Sequence, residues 1–160
     1  MNKITIVCVD DQREVLDTIS RDLQSLESHV ELEECESPQE ALELMDEIDA
    51  RGDRVALIIS DHVMPETSGV EFLTQVRADE RFSTSRKVLL TGLATHQDTI
   101  TAINQAGIDH YIEKPWQKDD LLRTAKQLLT RYILDSDLGY QSCMECLDQE
   151  VLFRELRKQS

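Results

Sequence analysis

Apolar residues along this chain switch between two periods, and the switching repeats. Short, largely apolar runs at Ile4 to Val9, Val55 to Ser60 and Lys87 to Leu90 read as strands, and Val55 to Ser60 as one buried on both faces, the kind found in parallel sheets covered by helices. Val30 to Cys35 is a weaker strand, alternating as an edge strand does, and Asp109 to Glu113 is a fifth, leading to Lys114 and Pro115. Between the strands the spacing becomes three and four residues. Val15, Leu16, Ile19, Leu23 and Leu26 mark one helix, and Ala41, Leu42, Leu44, Met45 and Ile48 mark a second that stops near Gly52. Ser37, Pro38 and Glu40 form a capping box ahead of that second helix. Val70, Phe72, Leu73 and Val76 mark a third; a fourth runs from about His96 to Ala106, with Gly107 in the C-cap role. In the fifth, Leu121, Leu122, Ala125, Leu128, Leu129, Tyr132 and Ile133 fall on one arc. Five alternations of strand and helix predict an α/β fold built on a doubly wound five-stranded parallel sheet.

Sheets of this kind commonly take the flavodoxin-like order 2-1-3-4-5, with ligands bound beyond the carboxyl ends of the strands. That order places the tips of strands one, three, four and five side by side, and so collects Asp10 and Asp11, Asp61, Thr91, and Lys114. Singly, Asp61 reads better as an N-cap or turn residue, and Thr91 as a strand-end hydroxyl and Lys114 as a surface lysine are plausible readings. Their convergence is what favours chemistry. Three crowded carboxylates repel one another and drift toward protonation unless a cation neutralises them, and Mg2+ is the hard, oxygen-seeking candidate. With an ammonium and a hydroxyl beside it, such a site receives a phosphoryl group, and one carboxylate is left to act as nucleophile. Behind Asp61, Met64 and Pro65 force a turn, and Gly69 leaves room for a close backbone approach.

Charge narrows the range of partners. The 32 acidic and 17 basic residues give a formal net charge of −15, which repels nucleic acid and anionic membrane surfaces. No stretch approaches the ~20 apolar residues of a bilayer span, and the N-terminus enters a strand without a secretory leader. A cytoplasmic protein is expected, with Cys8 and Cys35 as thiols packed like small hydrophobes. The 160 residues hold one domain, residues 1–134, and a C-terminal helical extension, residues 135–160. In the extension, Cys143 and Cys146 form a CxxC with no second pair for zinc, and it does not open a helix behind a strand as a redox pair would. On a helical wheel Cys143, Met144, Leu147 and Val151 oppose Cys146, Leu152, Phe153 and Leu156, a pattern suited to dimerisation or to linking an output domain.

The acidic pair Asp10-Asp11, Asp61 with Met64-Pro65 and Gly69 behind it, Thr91-Gly92, and Tyr111 three residues before Lys114-Pro115 together resemble the receiver domain of bacterial two-component response regulators. The match spans roughly residues 3 to 134. It implies that Asp61 accepts phosphoryl from the phosphohistidine of a sensor histidine kinase or phosphotransfer protein. It further implies that Asp11 binds Mg2+ directly, Asp10 through water, and Val63 through its backbone carbonyl. Lys114, aimed by a cis peptide before Pro115, would pair with a phosphoryl oxygen. Thr91 would move to the phosphoryl group and Tyr111 would swing inward, altering the surface of the fourth helix, fifth strand and fifth helix, where a homodimer is expected. Val63 and Leu93 stand where the family tunes hydrolysis; both are apolar, so a long-lived phosphorylated state is expected. His62 is assigned no catalytic role, and Trp116 is expected near the site rim. Two rivals remain at this point: a Mg2+-dependent phosphohydrolase, which would want an acid or base where Val63 stands, and an interaction module that is never phosphorylated.

Overall fold

Strands that are apolar on both faces need helices on both sides, and the chain supplies them in alternation. In the computed structural model, which describes residues 3–92 and 97–136, strands β1 (Ile4–Val9), β2 (Glu31–Cys35), β3 (Arg54–Asp61), β4 (Arg86–Thr91) and β5 (His110–Glu113) are all parallel. Their order is β2-β1-β3-β4-β5, the flavodoxin-like arrangement expected from the periodicity. The helices are α1 (Arg13–Asp22), α2 (Pro38–Ala50), α3 (Gly69–Ala78), α4 (Gln97–Ala106) and α5 (Lys118–Asp135).

The two-residue repeat of each strand divides the core in two. Ile6, Cys8, Leu57 and Ile59 pack with Leu16 and Ile19 of α1 and with Leu121 and Leu129 of α5. Val7, Val9, Ile58 and Leu89 face the other way, onto Met45 of α2, Phe72 of α3 and Ile103 of α4. Each fully buried large apolar side chain contributes roughly 1.5–3 kcal/mol, so both layers hold the sheet rigidly. Local signals start and stop the helices. The Ser37 hydroxyl accepts the Glu40 N–H at 3.1 Å, while the Glu40 carboxylate accepts the Glu36 N–H at 2.9 Å. After α4, Gly107 adopts φ +67°, the left-handed conformation that ends helices.

Helix α1 ends earlier than its apolar spacing predicts, for a physical reason. Helix α1 stops at Asp22; Leu23 and Leu26 still reach the core, Leu26 as the last residue of a short 3-10 turn, because the three-residue step between them suits either helix type. Lys87 is buried within β4, where its ammonium donates to the Ser85 carbonyl at 2.9 Å and burial holds its pKa below the ordinary lysine value. Trp116, two residues after Lys114, is half-buried against the α1 and α5 side of the core, and its indole N–H donates to Asp22 at 2.9 Å. At the other end of α5, Asp135 pairs with Arg86 and so joins the last residue of that helix to the first of β4. Among the described residues no helix is long and apolar enough to cross a membrane. Leu93 and the extension beyond Ser136, with Cys143 and Cys146, lie outside the described residues.

Candidate functional site

Parallel strands all present their carboxyl ends to one edge, and four of those ends carry polar groups here. β1 runs into Asp10 and Asp11, β3 ends on Asp61, β4 ends on Thr91, and β5 is followed by Lys114. Asp10, Asp11 and Asp61 each place a carboxylate oxygen within 4.8 Å of the others. The Lys114 ammonium lies 2.6 Å from Asp61 Oδ1 and 3.5 Å from Asp10 Oδ2. The cluster therefore holds three carboxylates against one ammonium.

Burial sharpens that imbalance. Asp10 has no exposed surface, and its Oδ2 makes no hydrogen bond; its Oδ1 accepts the Gln12 N–H at 2.8 Å. Burial pushes the Asp10 carboxyl above its ordinary range, with the Asp61 and Asp11 charges adding to the rise, while the Gln12 N–H and Lys114 oppose it. Asp10 Oδ2 makes no hydrogen bond, has the Lys114 ammonium only at 3.5 Å, and faces two further carboxylates, a donor set that a small, hard cation satisfies, so the residues present fit Mg2+.

The backbone fixes the frame. The Lys114 N–H donates to the Thr91 carbonyl at 3.0 Å, and the His62 N–H to the Leu90 carbonyl at 3.0 Å, so the loops after β3 and β5 are both tied to the end of β4. The Lys114–Pro115 peptide is cis. Helix α3 begins hard against β3. The Gly69 N–H donates to His62 O at 2.8 Å, and a Cβ at Gly69 would lie 2.0 Å from the Asp61 carbonyl oxygen. Between them, the Thr67 N–H reaches Pro65 O at 2.7 Å across Glu66 at φ 69°.

Thr91 is buried, whereas Tyr111 on β5 is 43% exposed and stacks on His110 with ring centroids 6.3 Å apart. Val63, two residues after Asp61, is 69% exposed and offers no polar side-chain atom. His62 keeps its Nδ1 buried and without a hydrogen bond. One contact escaped the sequence reading. Asp22 and Trp116 are 94 residues apart, and no local pattern announces their pairing.

Comparison with known proteins places these features in context. A profile of the response regulator receiver domain matches residues 6–126. The hydrogenase transcriptional regulatory protein HoxA of Cupriavidus necator is 32% identical over 134 residues, which cover 84% of this chain and only 26% of HoxA. The chemotaxis protein CheY1 of Helicobacter pylori is 30% identical over 111 residues, covering 69% of this chain and 85% of CheY1. Among solved structures, the Vibrio cholerae chemotaxis protein CheY4 superposes with a TM-score of 0.65 at 27% identity, covering 77% of this chain and 96% of CheY4.

Proposed function

The chain belongs to the response regulator receiver family, a family of signalling domains, and on that premise we propose that Asp61 accepts a phosphoryl group from the phosphohistidine of a sensor histidine kinase or phosphotransfer protein. The observation that carries this reading is the meeting of Asp10, Asp11, Asp61 and Lys114 at adjacent strand tips, with the ammonium 2.6 Å from the acceptor carboxylate. In the transfer, a carboxylate oxygen of Asp61 bonds to phosphorus as the phosphorus–nitrogen bond to imidazole breaks. The electron pair stays on the imidazole nitrogen, and the product is an acyl phosphate.

Each residue has a part in that step. Lys114 orients the Asp61 carboxylate beforehand and pairs with a phosphoryl oxygen as charge develops there. Asp11, Asp10 through water, Asp61 and the Val63 carbonyl would hold Mg2+, which when bound supplies positive charge to the carboxylates and to the incoming phosphoryl oxygens. The Thr91 hydroxyl moves to the phosphoryl group, and Tyr111, now 43% exposed, turns inward. That alters the face made by α4, β5 and α5, on which a homodimer would form, the C-terminal extension serving either that dimer or the link to an output domain. Self-dephosphorylation is slow, because Val63 has no group to orient an attacking water. The same apolar side chain disfavours the phosphohydrolase reading, which needs an acid or base there.

Incubation with phosphoramidate and Mg2+ tests the reading. One phosphate is expected per chain, absent in Asp61→Asn, with a half-life well beyond minutes. Labelling that survives Asp61→Asn overturns the acceptor assignment, and a half-life of seconds overturns slow hydrolysis. Light scattering with and without beryllofluoride tests the dimer.

A further inference from the structure

Lys114 is useful only where its ammonium stands, and the loop that carries it is short. Only Lys114, Pro115, Trp116 and Gln117 separate β5 from α5. The loop is pinned at one end by the Lys114 N–H on the Thr91 carbonyl. At the other end, Gln117 occupies the N-cap of α5 without a side-chain cap hydrogen bond, so the start of the helix does not clamp the loop in that way. What lies between is Trp116, whose half-buried ring packs on the core and whose Nε1 donates to Asp22 Oδ2 at 2.9 Å.

Asp22 is an odd choice for its own helix. It is the last residue of α1, where a negative charge meets the negative end of the helix dipole. Neither capping nor the dipole accounts for it there. The indole N–H is donor-only, and a carboxylate gives it a charge-assisted bond. We propose that Asp22 is a positioning residue for Lys114: by accepting the indole N–H of Trp116 it braces the loop between β5 and α5 on α1 and so holds the ammonium against Asp61. The proposal rests on the phosphoacceptor reading above for its consequence in rate. The brace itself has a separate readout.

The mechanism is geometric. A contact of 2.6 Å leaves little slack, and a misplacement of about 1 Å at a reacting group costs up to ~100-fold in rate. Lys114 lies two residues from the anchored indole, with Pro115 limiting rotation between them. Loss of the anchor lets the ammonium wander by a fraction of that distance, for which about a tenfold loss is expected.

The test uses the full-length chain and four variants: Asp22→Ala, Asp22→Asn, Trp116→Phe, and Asp22→Ala combined with Trp116→Phe. Three quantities are measured: the phosphorylation rate with phosphoramidate, a small donor that needs no protein docking; the NMR resonance of the Lys114 ammonium; and the melting temperature. In Asp22→Ala the rate is expected to fall about tenfold, and the ammonium resonance to move toward that of a free lysine. Asn keeps an acceptor oxygen and should restore both. Trp116→Phe keeps most of the packing but loses the donor, so it should behave like Asp22→Ala, and the double variant should lose no more than either single one. Emission from the sole tryptophan should shift in Asp22→Ala as well. Unchanged rate and unchanged resonance in Asp22→Ala, or a loss that Asn does not repair, would overturn the brace. A wild-type chain that takes no phosphate while the resonance still moves would overturn the phosphoacceptor reading and support the brace.

Discussion

Replacing Gly69 by alanine adds one carbon at the most crowded point of the site. That Cβ would sit 2.0 Å from the Asp61 carbonyl oxygen, 2.9 Å from the Asp61 carbonyl carbon and 2.9 Å from Leu89 Cδ1. Carbon and oxygen approach comfortably at ~3.3 Å, so about 1.3 Å must be found. Leu89 can give a little. The Asp61 carbonyl cannot, because it belongs to the backbone of β3 and also accepts the Ser60 hydroxyl at 2.9 Å. Either α3 backs away and loses the bond from Gly69 N–H to His62 O, or the end of β3 shifts and carries the acceptor carboxylate off Lys114. Overpacking of this kind costs roughly 1–3 kcal/mol, which for a chain of this size lowers Tm by about 3–9 °C. Displacement of Asp61 by about 1 Å should lower the phosphorylation rate by ~10- to 100-fold. Thermal melts and phosphoramidate labelling, each run against wild type, measure the two effects. A variant with wild-type Tm and wild-type labelling would refute the claim that α3 and β3 meet without space for a methyl group.

Two further substitutions probe the charges. Asp10→Asn removes a carboxylate that burial and two like charges disfavour more than the Lys114 ammonium, 3.5 Å away, offsets; the variant should melt higher than wild type in EDTA and gain less from added Mg2+, as thermal melts in both buffers will show. Arg81 bonds Asp79 and Asp46 while lying 4.8 Å over the Phe82 ring, and its hydrogen bonds hold the Asp79 carboxyl below the usual range. A carboxyl lowered on folding adds stability above its unfolded pKa of ~3.9 and loses it as the pH falls through the folded value; Arg81→Met should therefore be less stable than wild type at neutral pH, with the difference shrinking below about pH 4 in urea titrations.

The pattern of the chain revealed some of this and concealed the rest, for identifiable reasons. β1 and β3 were legible because apolar runs rich in β-branched residues have few homes other than a covered parallel sheet, and the strand order then gathered the acidic pair, Asp61, Thr91 and Lys114 at one edge. The end of α1 was not legible, since Leu23 and Leu26 keep their spacing whether the backbone is α-helical or 3-10. Lys87 was hidden by its own chemistry: nothing local says that a lysine will be buried to donate to a carbonyl two residues back. The bond from Trp116 to Asp22 was not legible, because the two lie 94 residues apart and meet across a packing contact between α1 and the loop before α5 that only the folded chain creates.

The pairing of Arg86 with Asp135 bears on any attempt to graft this domain onto another effector. A fusion point at residue 134, where the apolar arc of the last helix gives out, would cut away the carboxylate that fastens that helix to the fourth strand. A splice one or more residues later keeps that pair beside the buried Tyr132 and Ile133, so the last turn of the helix stays tied to the sheet at the junction.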